Sequence, residues 1–204
     1  MAIGKITLEG VNHFFTSSGK YVLLVNPWNP VPEDYPYNFV EYGGRKVDAS
    51  AYEALKQMVA AGQAAGHPCS ITEIYRSIDV QRYLWNRRKT AYMEEGYDAA
   101  TADMMTGWSV AIPGHSEHQT GLALDFNRGE PGTLSWMNKH CWEYGFIVRY
   151  PDGKMDHTGI VYEPWHYRYV GLELAQELKE SGLCMEEYMD KLTAQEKAKA
   201  PPVQ

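Results

Sequence analysis

Two short segments hold the residues best suited to chemistry: Ser116-Glu117-His118-Gln119-Thr120-Gly121-Leu122-Ala123-Leu124-Asp125 and Glu163-Pro164-Trp165-His166. Among their residues are two imidazoles, a carboxylate suited to metal ligation and a further carboxylate free to act as a base. A catalytic zinc site takes three N or O ligands from the protein and leaves a position to water, whereas a structural site closes all four, mostly with thiolates. His118, Asp125 and His166 would fill three positions, leaving Glu163 to handle the proton of a bound water. Zinc lowers the pKa of bound water from near 16 to about 7. A carboxylate in hydrogen-bond reach can then take the remaining proton and pass it to a leaving amine, which is amide-bond hydrolysis. As a fourth ligand, Glu163 would instead close the site and make it structural.

The spacing sets conditions on the backbone. His118 and Asp125 are seven positions apart, which puts them on opposite faces of a continuous strand. They converge only if the chain bends between them, and Gly121 permits the bend. In the run that follows, Leu122, Leu124 and Phe126 share one face while Ala123 and Asp125 share the other, so Asp125 projects from a half-buried strand. An unpaired carboxylate there is expensive. It either ligates a metal or pairs with a cation such as Arg128, in which case His118 is an ordinary loop residue. Glu163 and His166 alternate in a strand but share a face in a turn, and Pro164 breaks the ladder between them, so a bulge or turn is expected.

The positioning elements follow from pattern and punctuation. Tyr21 to Val25 suits a strand, ended by the turn residues of Asn26 to Pro32. Asp48-Ala49-Ser50 supplies caps for a helix through about Ala64, with Gly66 as its stop. Ser70 to Arg76 alternates like a strand, and Ser77 caps a helix to about Lys89, which sets Arg76 and Gln81 where a cleft wall is expected. A polar helix from Asp98 to Trp108 precedes the loop Pro113-Gly114-His115. Leu134 to Tyr144 reads as a helix closed by Gly145, and Phe146 to Tyr150 as a strand. That strand pairs antiparallel with Tyr162 to Val170 across the turn Pro151 to Lys154. Leu172 to Ser181 and Met185 to Leu192 are closing helices. The expected architecture is α+β, a small central antiparallel sheet flanked by helices. One domain over residues 21–194 is expected, with an N-terminal extension over 1–20 and a frayed tail over 195–204.

The chain of 204 residues carries a net charge of −7 and no dense Lys/Arg run, which argues against nucleic acid or an anionic membrane as partner. No apolar run reaches the length of a membrane span and the N-terminus lacks a secretory core, so no membrane insertion is expected. The expectation is a cytoplasmic protein as written, or an extracytoplasmic one if an anchor or signal has been removed. Cys69, Cys141 and Cys184 are scattered and odd in number, which reads as inert thiols in a reducing compartment. His13, His67, His140 and His157 have no partner pattern and read as solvated or structural.

The two segments resemble the VanY-type D-alanyl-D-alanine carboxypeptidases, zinc enzymes that trim bacterial cell-wall peptide stems and include VanX- and VanXY-like relatives associated with vancomycin resistance. The family pattern of Ser-x-His, an Asp seven residues after that His, then Glu-x-Trp-His is met by Ser116, His118, Asp125, Glu163, Trp165 and His166. Pro113-Gly114, Tyr167-Arg168-Tyr169, Leu24-Val25-Asn26 and Tyr75-Arg76-Ser77 agree as well, whereas His115 departs from the small or aromatic residue expected there and reads as a cleft-lining residue. The similarity runs from about Tyr21 to Met189. It implies a fold shared with the hedgehog signalling domain, with one zinc in a cleft on His118, Asp125 and His166. It implies Glu163 as general base and Arg76 as the group that steadies the oxyanion or holds the substrate carboxylate. Gln81 and Ser116 would help bind the substrate terminus, and Trp165 would orient its neighbours or wall the cleft. The implied substrates are peptidoglycan precursor or stem peptides ending in a D-amino acid. Three specificities stay open at this point: D,D-carboxypeptidase, D,D-dipeptidase and L,D-carboxypeptidase. A non-catalytic zinc domain that binds cell-wall peptides or a protein is the reading from another class, and Glu163 and Arg76 speak against it.

Overall fold

The computed structural model describes residues 13–16, 18–127 and 132–199. The chain begins with an antiparallel hairpin of β1 (His13–Phe15) and β2 (Tyr21–Leu23), so part of the stretch expected as an extension is built into the fold. A second hairpin, β3 (Phe39–Tyr42) with β4 (Arg45–Asp48), went unread in the sequence. Its signal was Gly43-Gly44, whose φ values of 55° and 76° match the mirror-image two-residue turn that suits the strand twist.

Helix α1 (Tyr52–Ala64) follows, with Leu55 and Met58 fully buried. Its N-cap is Ala51; Ser50 is occupied, donating both its backbone N–H and its hydroxyl to the Asp48 carboxylate. Strand β5 (Ile71–Glu73) is shorter than the alternation suggested. Helix α2 (Ile78–Glu94) is capped by Ser77 as expected, the hydroxyl accepting from Val80 N–H at 3.3 Å. It runs past Lys89 because nothing in Thr90 to Glu95 breaks a helix before Gly96, which takes φ +100°. Helix α3 (Ala99–Gly107), capped by Asp98, packs on α2, and Lys89 and Asp103 join the two at 2.8 Å.

The remaining elements are β6 (Ala123–Phe126), α4 (Thr133–His140), β7 (Phe146–Val148), a short α5 (Met155–Thr158), β8 (His166–Tyr169), α6 (Leu172–Ser181) and α7 (Met185–Lys199). Helix α7 extends to Lys199, so the tail expected from residue 195 is helical for part of its length. No described helix is long and apolar enough to cross a membrane. Cys141 and Cys184 are buried, and burial pushes each thiol up to about 12.

Four strands form the central antiparallel sheet in the order β5-β6-β8-β7. Strand alternation gives it two unlike faces. Leu124, Phe126 and Tyr167 join Leu55, Met58, Ile74 and Met137 in one core. A second core of Val22, Leu24, Ile147, Leu174, Leu178 and Met185 fastens α6 and α7 to the N-terminal hairpin. The opposite face of the sheet carries Asp125, His166 and Arg168.

Gly121 carries the bend that the spacing required. It adopts φ +73° at the end of a one-turn 3-10 helix, Glu117–Thr120. A Cβ at this position would lie 2.7 Å from Phe39 Cε1 and 2.9 Å from the Asp48 nitrogen, whereas at Gly153, also φ +73°, it would meet nothing within 4 Å. Gly153→Ala is therefore expected to lose about 1 kcal/mol and Gly121→Ala roughly 2–4 kcal/mol in urea unfolding. Equal losses at the two positions would contradict this account of the bend.

Candidate active site

The 3-10 turn lifts His118 over the sheet. Its Nδ1 lies 2.7 Å from the Ile74 carbonyl, which can only accept, so Nδ1 carries the hydrogen and Nε2 offers its lone pair. That Nε2 is 3.5 Å from Asp125 Oδ1. Asp125 stands directly opposite His166 in the β6–β8 ladder, and its Oδ1 is 2.9 Å from His166 Nδ1. The two imidazole rings meet edge to face at 4.8 Å between centroids. Ligands at about 2.05 Å from a tetrahedral zinc are roughly 3.3 Å apart. The spacings of 3.5 and 2.9 Å, with all three ligand atoms within 4.8 Å of one another, fit such an ion. Two imidazoles and a carboxylate suit zinc and other divalent ions of intermediate hardness.

Glu163 enters through the expected turn: His166 N–H donates to the Glu163 carbonyl at 3.2 Å, just ahead of β8. One carboxylate oxygen of Glu163 lies 3.9 Å from His166 Nδ1, beside the trio. Arg128, the alternative partner for Asp125, lies outside the described residues. Burial raises the Asp125 carboxyl, but His118 and His166 outweigh it and hold the group well below the usual carboxylate range. Burial lowers His166, yet Asp125, Glu117 and Glu163 carry it up to about 9.

Arg76 follows β5, its backbone N–H bonded to the His118 carbonyl at 3.0 Å. Its guanidinium donates to Glu73 at 3.3 Å and to Gln81 Oε1 at 2.9 Å. Gln81 is fully buried, and its Nε2 donates to the Ala111 carbonyl at 2.7 Å. Gln81, expected to help bind the substrate terminus, lies behind Arg76 with both amide atoms engaged and does not line the cleft. Ser116 and Trp165 do line it. His115 does not; its Nδ1 pairs with the Asn26 carbonyl at 3.0 Å.

The cleft has a volume of about 650 Å³ and extends from the trio along α2 to Arg87 and Arg88. Tyr150, unmarked in the sequence, lines it and lays its ring against His166 at 4.9 Å.

Behind the cleft lies a buried ionic network. Glu117 Oε1 accepts from Arg149 Nε and Arg168 Nη1, each at 2.8 Å. Arg149 also grips Glu186 with both Nη atoms, at 3.0 and 2.6 Å. Arg168 Nη2 donates to the Leu23 carbonyl and Arg168 Nε to the Tyr169 carbonyl, and Arg149 Nη2 also reaches the Val25 carbonyl. Sequence reading gave Glu117 no role, although a charged residue between Ser116 and His118 was the available signal.

A family model described as VanY, D-alanyl-D-alanine carboxypeptidase, matches residues 44–172, which contain every residue that lines the cleft. The chain belongs to this family. The D-alanyl-D-alanine carboxypeptidase of Enterococcus faecalis is 36% identical over 175 residues, covering 83% of this chain and 65% of that protein. The chain thus spans about two thirds of the length of that relative. Among solved structures, VanYB in complex with D-alanine-D-alanine superposes with a TM-score of 0.78 at 35% identity, over 82% of this chain and 96% of that one. A D,D-pentapeptidase VanY variant from a VanB-type vancomycin resistance cassette, in complex with Zn(II), gives 0.77 at 36% identity, over 81% and 97%. The carboxypeptidase resemblance and the α+β architecture read from the sequence are both borne out.

Because the three donor atoms of this VanY-family site already converge, adding zinc to metal-free protein is expected to raise its melting temperature, with the shift reversed by a chelator. Asp125→Ala is expected to remove that shift. An equal shift in the variant would mean that zinc stabilises the chain from elsewhere.

Proposed function

We propose that this chain is a zinc-dependent D,D-carboxypeptidase and D,D-dipeptidase that hydrolyses D-Ala-D-Ala or releases the terminal D-Ala of peptidoglycan precursor peptides. The observation that carries this reading is the convergence of His118, Asp125 and His166 with Glu163 beside them on the wall of an open cleft. The relatives that bind Zn(II) and D-alanine-D-alanine support it.

When held by the trio, zinc supplies Lewis acidity and makes hydroxide available near neutral pH. Glu163 takes the proton of the attacking water on its carboxylate and delivers it to the leaving amine. Arg76, fixed by Glu73 and Gln81, presents charge-assisted donors to the substrate carboxylate or to the oxyanion that develops at the scissile carbonyl. Gln81 acts through Arg76. Ser116 and Trp165 contact the substrate terminus from the cleft wall, and Tyr150 covers one side of His166. The extension of the cleft along α2 accommodates residues ahead of the terminal pair, which favours stem peptides alongside the free dipeptide.

The decisive experiment incubates purified protein with D-Ala-D-Ala, a pentapeptide ending in D-Ala-D-Ala and a tetrapeptide, with and without a chelator. Chelator-sensitive release of D-Ala from the first two is expected. Release from the tetrapeptide alone would replace the reading with an L,D-carboxypeptidase, and release from none would leave a binding domain. Glu163→Gln is expected to retain zinc while losing about 10²–10⁴-fold in turnover. Gln81→Leu, which unties Arg76 without altering the cleft lining, is expected to lower kcat/KM roughly tenfold at a charge-assisted hydrogen bond. Adding it to Arg76→Ala should have little further effect, because two residues that act through one group are not additive.

A further inference from the structure

As a metal ligand, His166 needs a partner that holds the other side of its ring. Nδ1 faces the donor set, 2.9 Å from Asp125 Oδ1 and 3.9 Å from Glu163 Oε2. A neutral imidazole that offers its Nδ1 lone pair to a metal must carry its hydrogen on Nε2. His166 Nε2 is buried and makes no hydrogen bond. Glu117 Oε2 lies 3.7 Å from it and is likewise buried without a hydrogen-bond partner. These are two of the four buried side-chain polar atoms without a partner among the described residues, and they face each other. A shift of about 0.8 Å brings the pair to ordinary hydrogen-bond length.

We propose that Glu117 is the positioning residue for His166: its Oε2 accepts the Nε2–H and so fixes the imidazole with Nδ1 toward the metal. The proposal rests on the zinc reading above. Glu117 is suited to the task because its other oxygen is pinned by Arg149 and Arg168 at 2.8 Å each, so the carboxylate is anchored and aimed before any metal arrives. The two arginines compete for Oε1 alone, which leaves Oε2 to the imidazole. His118 receives the matching service from the Ile74 carbonyl, and the two imidazoles are thereby presented through different nitrogens, Nε2 of His118 and Nδ1 of His166. Acceptors placed on the far nitrogen of a ligand histidine set its tautomer and ring orientation.

The test uses the full chain loaded with zinc. In ¹⁵N-histidine NMR spectra of the wild type, His166 should show a slowly exchanging hydrogen on Nε2 and a coordinated Nδ1. Zinc affinity measured by competition with a chelating dye should fall about 10- to 100-fold in Glu117→Gln, in line with losses at comparable sites. Glu186→Gln, which also breaks an ion pair of Arg149 but leaves Glu117 facing His166, should keep zinc affinity within about threefold. A wild-type spectrum with Nε2 coordinated would overturn the proposal even if Glu117→Gln fails to fold. Equal weakening in the two variants, or unchanged affinity in Glu117→Gln, would reduce Glu117 to an ordinary buried ion-pair residue. A wild type that binds no zinc would instead sink the metal-site reading on which the proposal stands.

Discussion

The antiparallel pairing of β6 with β8, in the register that sets Asp125 opposite His166, governs both the core and the chemistry. Cross-strand neighbours share a face, so this register brings a carboxylate and an imidazole into contact without a loop having to carry either of them. The same register sends Leu124 and Tyr167 to the opposite face, where they pack under α1 and α4. A slip of one residue would bury the ligands in that apolar core and expose its side chains on the cleft side. The hydrophobic effect therefore fixes the metal-binding geometry: the packing that stabilises the sheet also selects the register that assembles the site.

A sheet face that carries Asp125, His166 and Arg168 cannot be covered by apolar side chains alone, and the fold answers with buried pairs. Glu117 between Arg149 and Arg168, and Glu186 gripped by Arg149, remove these charges from water with most donors and acceptors satisfied. Such groups contribute little net stability relative to an apolar core of the same shape, but breaking one pair is strongly destabilising. Their placement is informative here. They sit directly behind the cleft and tie β2, the 3-10 turn, β8 and α7 to one another, so the wall that carries the ligands has little freedom to move.

The cleft side is arranged in tiers. Gln81 and Glu73 hold Arg76, the Ile74 carbonyl holds His118, and the turn at Pro164 places Glu163 beside the trio. Arg76 and His118 thus face the cleft in directions fixed by hydrogen-bond partners, which is the preorganisation an electrostatic site needs. Helix α2, of whose residues only Gln81 is buried, forms the outer wall and leaves the cleft open along its length.

Much of this was legible in the sequence. The donor set, the need for a bend at Gly121, the turn at Pro164, the cap at Ser77 and the α+β class follow from residue types, strand alternation and glycine and proline punctuation, all of which act over a few residues. The Gly43-Gly44 hairpin and the full length of α2 were also written locally and went unread. Other features were not encoded locally at all. That Asp125 meets His166 depends on which strands pair and in what register. The nitrogen each histidine presents depends on the Ile74 carbonyl and on Glu117 across the interior, and the place of Gln81 behind Arg76 depends on a bond to the Ala111 carbonyl. The sequence by itself determined which groups were available and where the chain could bend. Only the tertiary structure decided which atom of each group faces the cleft, because that choice is made by partners distant in sequence that packing brings within hydrogen-bond reach.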